Sequence, residues 1–212
     1  MNLTAPPCPE ATAVIHPRQA EILRAVRQAF VEKGFDGASM QDLARAAGMS
    51  VGNFYRYFPS KAAIIGAMVL MDAQEIRADF AAILAAPSPL TALRHGLRER
   101  IFGADCAKDS ALWAEIDAAA RRMPEVAEAH RMIESEVRGQ LIAVFAAGTG
   151  LPLAEANRRF STHAAFLLTL FKAAACADAM LGVDIPALRA MIAETLDARL
   201  DEILRHATPP PD

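Results

Sequence analysis

The chain has 212 residues, 53% of them hydrophobic but only 6% aromatic, and a net charge of −3. It can hold one large domain or two small ones with a substantial core, and its charge argues against a general nucleic-acid coat. The two parts differ, however: residues 1–61 carry 7 Lys+Arg against 5 Asp+Glu, and residues 62–212 carry 15 against 20. A mildly basic start on an acidic remainder fits a protein that relies on geometry and dimerisation more than on bulk attraction.

Ala, Leu, Arg and Glu are strong helix formers, and runs of Val, Ile and Thr are scarce, so the composition predicts an all-α fold of about nine helices. Residues 1–16, with Pro6, Pro7 and Pro9, read as a disordered N-terminal arm without a signal-peptide core. Pro17 suits a helix start, and Ile22, Leu23, Val26, Ala29 and Phe30 continue at helical spacing. Gly34 is expected to end that helix, with Phe35 packing back on it. Ser39 and Asp42 form a capping-box-like start for a second helix with Leu43, Ala46 and Ala47 inside. Gly48 supplies a tight turn, Ser50 caps a third helix, and Phe54 and Phe58 face inward. Ser60 caps a fourth helix running to about Ala86. Further helices are expected over Leu90–Phe102, Ser110–Arg122, Pro124–Ala147, Leu153–Leu181 and Ile185–His206, with a frayed tail at Pro209–Asp212.

Two short helices joined at Gly48 match the helix-turn-helix pattern, whose second helix enters the major groove. With Phe54 and Phe58 inward, the other face carries Val51, Gly52, Asn53, Tyr55 and Arg56. Gly52 lets backbone approach phosphate. Asn53 can both donate to and accept from base edges. Tyr55 and Tyr57 offer hydroxyls, and Lys61 can pair with phosphate. Tyr55 as a core residue, Arg56 as a solvated charge and the whole pair as a structural hairpin remain open on spacing alone.

Residues 18–69 resemble the DNA-binding domain of the tetracycline-repressor (TetR) family. The matching residues are Ala38-Ser39, Leu43-Ala44, Ala47-Gly48-Met49-Ser50, Gly52, Phe54-Tyr55, Tyr57-Phe58 and Lys61. The resemblance implies an N-terminal three-helix DNA-binding domain at 17–69 and a helical effector-binding and dimerisation domain at 70–208. It implies a homodimer on a double-stranded DNA operator and a small-molecule effector that releases it. By position it places DNA contacts on Ser39, Met40, Ser50, Val51, Gly52, Asn53, Tyr55, Tyr57 and Lys61, to which Arg56 adds a charge. Val51 stands where a polar side chain often reads a base, so the operator sequence is not inherited with the fold.

The C-terminal half names no ligand. Bulky or amphipathic residues of its middle helices are pocket candidates: Trp113 first, then Phe102, His95, Ile116, Phe145 and Phe166. Phe80, Leu84, Met123 and Phe171 belong to the same group, and His163 is a further histidine to weigh. An ordinary core tryptophan is the alternative for Trp113. Glu115 and Asp117 could hold a cationic ligand or simply be solvated. The last two helices are expected to form a dimeric four-helix bundle through Ala173, Ala177, Leu188, Ile192, Leu196 and Leu200. Packing of these residues within one subunit is the alternative.

HExxH, a P-loop and GxGxxG are absent, the one GxSxG string (Gly48-Met49-Ser50-Val51-Gly52) lies between two expected helices rather than at a strand-to-helix elbow, and the five histidines lack metal-ligand spacing. No enzyme activity, cofactor or metal is expected. Cys8, Cys106 and Cys176 are far apart and odd in number, which fits a reduced cytoplasm. The longest nearly apolar run, Ala164–Phe171, is too short for a membrane span. The resulting expectation is a cytoplasmic transcriptional regulator, a repressor that leaves a palindromic operator when an effector binds. Control by a protein partner, or an enzyme using the C-terminal cavity, are the alternatives.

Overall fold

The computed structural model describes residues 15–103, 106–179 and 182–206. The arm assigned to residues 1–16 lies outside them except for its last two residues, as does the tail after His206. Every regular element among the described residues is helical. The α-helices are α1 (Pro17–Gly37), α2 (Met40–Ala46), α3 (Val51–Tyr57), α4 (Lys61–Ala85), α5 (Pro89–Phe102), α6 (Cys106–Ala120), α7 (Pro124–Thr149), α8 (Leu153–Ala175) and α9 (Ile185–Leu204). A single 3₁₀ turn, Cys176–Ala179, follows α8, which therefore stops short of the expected Leu181. The chain falls into two compact units rather than dividing once at residue 69. The first holds residues up to Glu75 together with Leu112–Ile133; the second holds Ile76–Ala111 and the residues from Glu134 on.

Local signals build the first unit. Pro17 opens α1, and Ile22, Leu23, Val26 and Phe30 form its buried stripe. Gly34 adopts φ 70°, ψ 165°, a region that only glycine enters freely, and breaks the helix there. The chain resumes helical geometry to Gly37, and Phe35 folds back to stack on Phe30 with ring centroids 5.2 Å apart. Ser39 and Asp42 make the anticipated capping box, each bonding the other's backbone N–H at 3.1 Å. Gly48, at φ 65°, closes α2 as a complete Schellman motif: Met49 N–H donates to Ala44 and Gly48 N–H to Arg45. Ser50 and Ser60 cap α3 and α4 through the Asn53 and Ala63 amides. Phe54 and Phe58 are buried against each other. Arg27 of α1 forks onto both oxygens of the buried Asp72 on α4, at 2.9 and 2.8 Å, which fastens the two helices.

In the second unit, α5, α8 and α9 pack together. Leu90, Leu93, Ile101, Phe145, Phe160, Leu167, Ile192, Leu196, Leu200 and Ile203 fill the core among them. Gly148 of α7 meets Leu90 so closely that a Cβ there would lie 2.4 Å from the leucine Cδ1. Arg94 and Arg98 of α5 face Asp197 and Asp201 of α9. Arg98 Nη2 lies 2.7 Å from Asp197, Arg94 Nε lies 3.4 Å from the same carboxylate, and Arg94 Nη2 also contacts Asp201.

This packing corrects the expected dimer face. Ile192, Leu196 and Leu200 belong to the subunit's own core, Ala177 is buried, and Leu188 packs against that core; only Ala173 is exposed. The apolar i, i+4 series of α9 is the stripe the helix buries within its own protomer. The outward stripes are different ones: Phe166, Thr169 and Ala173 on α8, and Ala187, Met191, Thr195 and Ala198 on α9. Met191 is 65% exposed and Phe166 42%.

Candidate nucleic-acid interface

The third helix presents two faces with different chemistry. Phe54 is fully buried, while Gly52, Asn53, Tyr55 and Arg56 are exposed and Val51 and Tyr57 are half-buried at the edges. A Cβ at Gly52 would meet nothing within 4 Å, so the missing side chain opens the outer surface rather than relieving a clash inside. Ser39 and Ser50 are exposed at the starts of α2 and α3, with Met40 half-buried beside Ser39. Both serine hydroxyls are used as helix caps, which fixes where each helix begins. Of the residues selected from the sequence for this surface, Val51, Gly52, Asn53, Tyr55, Arg56 and Tyr57 lie on α3, Ser50 is its N-cap, Ser39 and Met40 stand at the start of α2, and Lys61 stands at the start of α4.

Charge is held in place around this surface. Lys33 Nζ reaches Asp42 at 2.6 Å, and that bond, together with those from Ser39, holds the Asp42 carboxyl well below the usual carboxylate range. Arg18 pairs with Glu21 at 2.6 Å, which raises its pKa, and a hydrogen bond with Tyr57 adds to the effect. Arg56 stands exposed on the outer face of α3.

Lys61 opens α4 as expected, but its side chain has partners the sequence did not indicate. Its ammonium donates to the carbonyl oxygens of Phe35 at 2.9 Å and Asp36 at 3.1 Å and lies 5.3 Å from the centroid of the Phe35 ring. Glu115 was also missed as a part of this unit: its Oε2 accepts the Phe35 N–H at 2.9 Å. Arg122 pairs with Asp36 at 2.7 Å, and Asp117 with His130 at 2.5 Å, which answers the question of a cationic ligand for both acids differently. No sequence spacing signals the Glu115 contact, because its partners are 80 residues apart.

The proposed pocket residues are divided between the two units. Trp113 and Ile116 lie in the first unit, where Trp113 stands 6.5 Å from the His130 ring and Ile116 is buried. Of those in the second unit, Phe145 is fully buried in the core, whereas Phe102 is 49% exposed and Phe166 points outward. His95 is exposed and pairs with Glu99 at 3.4 Å. Side chains in solvent do not line an interior cavity, so His95, Phe102 and Phe166 are corrected as pocket residues. A shallow cleft of about 230 Å³ lies instead beside Glu134, Arg138, Leu168 and Lys172, with Lys172 and Glu134 paired at 2.9 Å. Among the described residues no group of His, Cys, Asp or Glu is arranged to hold a metal, and no single helix is long and apolar enough to cross a membrane.

Comparison with known proteins meets this geometry at the same residues. The family model described as "Bacterial regulatory proteins, tetR family" matches residues 22–68. The HTH-type transcriptional regulator UidR of Escherichia coli K12 is 39% identical over 64 residues, which are 30% of this chain and 33% of UidR. The match thus spans about a third of the length of that relative. Solved structures extend the likeness over the whole fold. A transcriptional regulator from Rhodococcus sp. Rha1 is 25% identical with a TM-score of 0.68, covering 91% of this chain and 99% of that one. Salmonella enterica GusR is 26% identical with a TM-score of 0.66, covering 92% and 100%. Residues 22–68 thus match the tetR family of bacterial regulatory proteins, and the architecture beyond them resembles that of solved transcriptional regulators.

Proposed function

We propose that the chain is a homodimeric, sequence-specific regulator of transcription that binds a palindromic double-stranded DNA operator and leaves it when a small-molecule effector binds. The observation that carries this reading is α3, capped by Ser50, with Phe54 sealed inside and Asn53, Tyr55 and Arg56 standing outside. Such a helix reads base edges through Asn53 and holds phosphate through Arg56. Two copies are needed to read two half-sites about 34–36 Å apart. The outward stripes of α8 and α9, with Met191 and Phe166 at their centres, supply an apolar surface for the second copy.

Repression follows if the operator overlaps a promoter, and release follows if the effector favours a state whose two recognition helices no longer match that spacing. A second reading, control by a protein partner, draws support from Phe145, which is fully buried in the core of the second unit. Selection of duplexes from a random pool by the full chain, followed by footprinting, tests the main reading. A symmetric site with half-sites one helical turn apart is expected. Failure to enrich any duplex would refute it.

A further inference from the structure

We propose that Glu115, on α6, is a positioning residue for DNA binding. The inference rests on the DNA-binding reading above and adds to it a residue from outside the helix-turn-helix. It starts at Gly34, where the break in α1 takes the Phe35 N–H out of the helical ladder. Glu115 Oε2 accepts that N–H at 2.9 Å. From the opposite side, Lys61 donates to the Phe35 and Asp36 carbonyls. Both backbone polar groups of Phe35 are therefore taken by charged side chains of other helices. Bonds with one ionised partner are the stronger class of hydrogen bond, and this one is partly screened from water.

The turn so held leads directly into recognition. Phe35 is buried on Phe30, Ala38 is fully buried, and Ser39 is the N-cap of α2. The α2 Schellman turn then fixes the direction of α3. A shift of residues 35–36 moves the start of α2, and α3 moves with it. The Glu115 carboxylate lies at the Gly34–Phe35 turn, so its effect on α3 passes through that turn. The segment Leu112–Ile133 belonging to the same compact unit as α1–α3 agrees with this role.

The experiment uses the full chain and a duplex that the wild type enriches from a random pool. Glu115→Ala and Glu115→Gln are compared by titration at several salt concentrations, with the active fraction measured by stoichiometric binding. The expected result is a dissociation constant about tenfold higher for Glu115→Ala, with the slope of log K against log salt unchanged, because no phosphate contact is lost. Glu115→Gln should stay within about twofold, since its amide oxygen still accepts the Phe35 N–H. Wild-type affinity in Glu115→Ala would overturn the proposal. So would a lower active fraction with unchanged affinity, which marks a folding defect only. Equal loss in both variants would overturn the hydrogen-bond argument. A wild type that enriches no duplex would remove the DNA-binding reading itself, and this inference with it.

Discussion

Leu196→Ala and Met191→Glu should separate what holds a protomer together from what joins two of them. Leu196 is 2% exposed and sits in the core of the second unit. Truncating a leucine so buried costs about 2–5 kcal/mol, transfer and cavity together. At a urea dependence of about 1–3 kcal/mol per molar, the midpoint should fall by roughly 1 M. Met191, in contrast, is 65% exposed on the same helix. A glutamate there leaves the protomer core untouched but places an unpaired charge in the proposed apolar seam. Urea unfolding followed by circular dichroism, with light scattering at matched concentration, reads both effects. Leu196→Ala should lower the midpoint while folded protein keeps its dimer mass. Met191→Glu should give a folded monomer. The reasoning is refuted if Leu196→Ala splits the dimer with no loss of midpoint, or if Met191→Glu remains fully dimeric.

Gly148→Ala should destabilise by about 1–3 kcal/mol, because the new methyl group overlaps the Leu90 side chain; thermal melting checks this. Asp42 sets an acid limit. Its folded pKa lies below the unfolded one, so its stabilisation is complete above the ordinary carboxylate range and fades as pH falls through the depressed value. Acid titration of wild type and Asp42→Asn should show the wild type losing its advantage only at the acid end. Asn53→Ala should lose about 1–3 kcal/mol of discrimination at particular base pairs, whereas Arg56→Ala should weaken all duplexes alike and reduce the salt slope by about one. Operator and scrambled duplexes titrated side by side tell these apart.

Most of residues 17–60 was legible because the signals there are local, although Ala46, expected inside, is exposed and Ala44 is buried in its place. Ser39 and Asp42 are three apart, Gly48 sits where a left-handed residue is needed, and Phe54 and Phe58 share one face at i, i+4. Chemistry and spacing there sufficed. The apolar series of α9 was equally legible as a stripe, but a stripe does not say which surface covers it. Leu196 faces α5 and α8 of its own chain, and the weaker pattern of Ala187, Met191 and Ala198 is the one left outside. Glu115 and Lys61 were legible as charges but not as partners of one turn, since backbone acceptors and donors at a helix break carry no sequence mark. Trp113, chosen for its indole face and N–H, stands 6.5 Å from the His130 ring, a neighbour on another helix that no local pattern marks.

The arginine–aspartate pairs between α5 and α9 act as a vernier. Each is partly exposed and adds little to stability. Their spacing matters more than their strength. If α9 slid by one turn, about 5.4 Å, in one direction, Arg94 would exchange Asp201 for Arg205, a like charge. In the other direction Arg98 would exchange Asp197 for Ala193, which offers no partner. The pairs thus bear on the height at which Met191 and Ala198 project from the subunit.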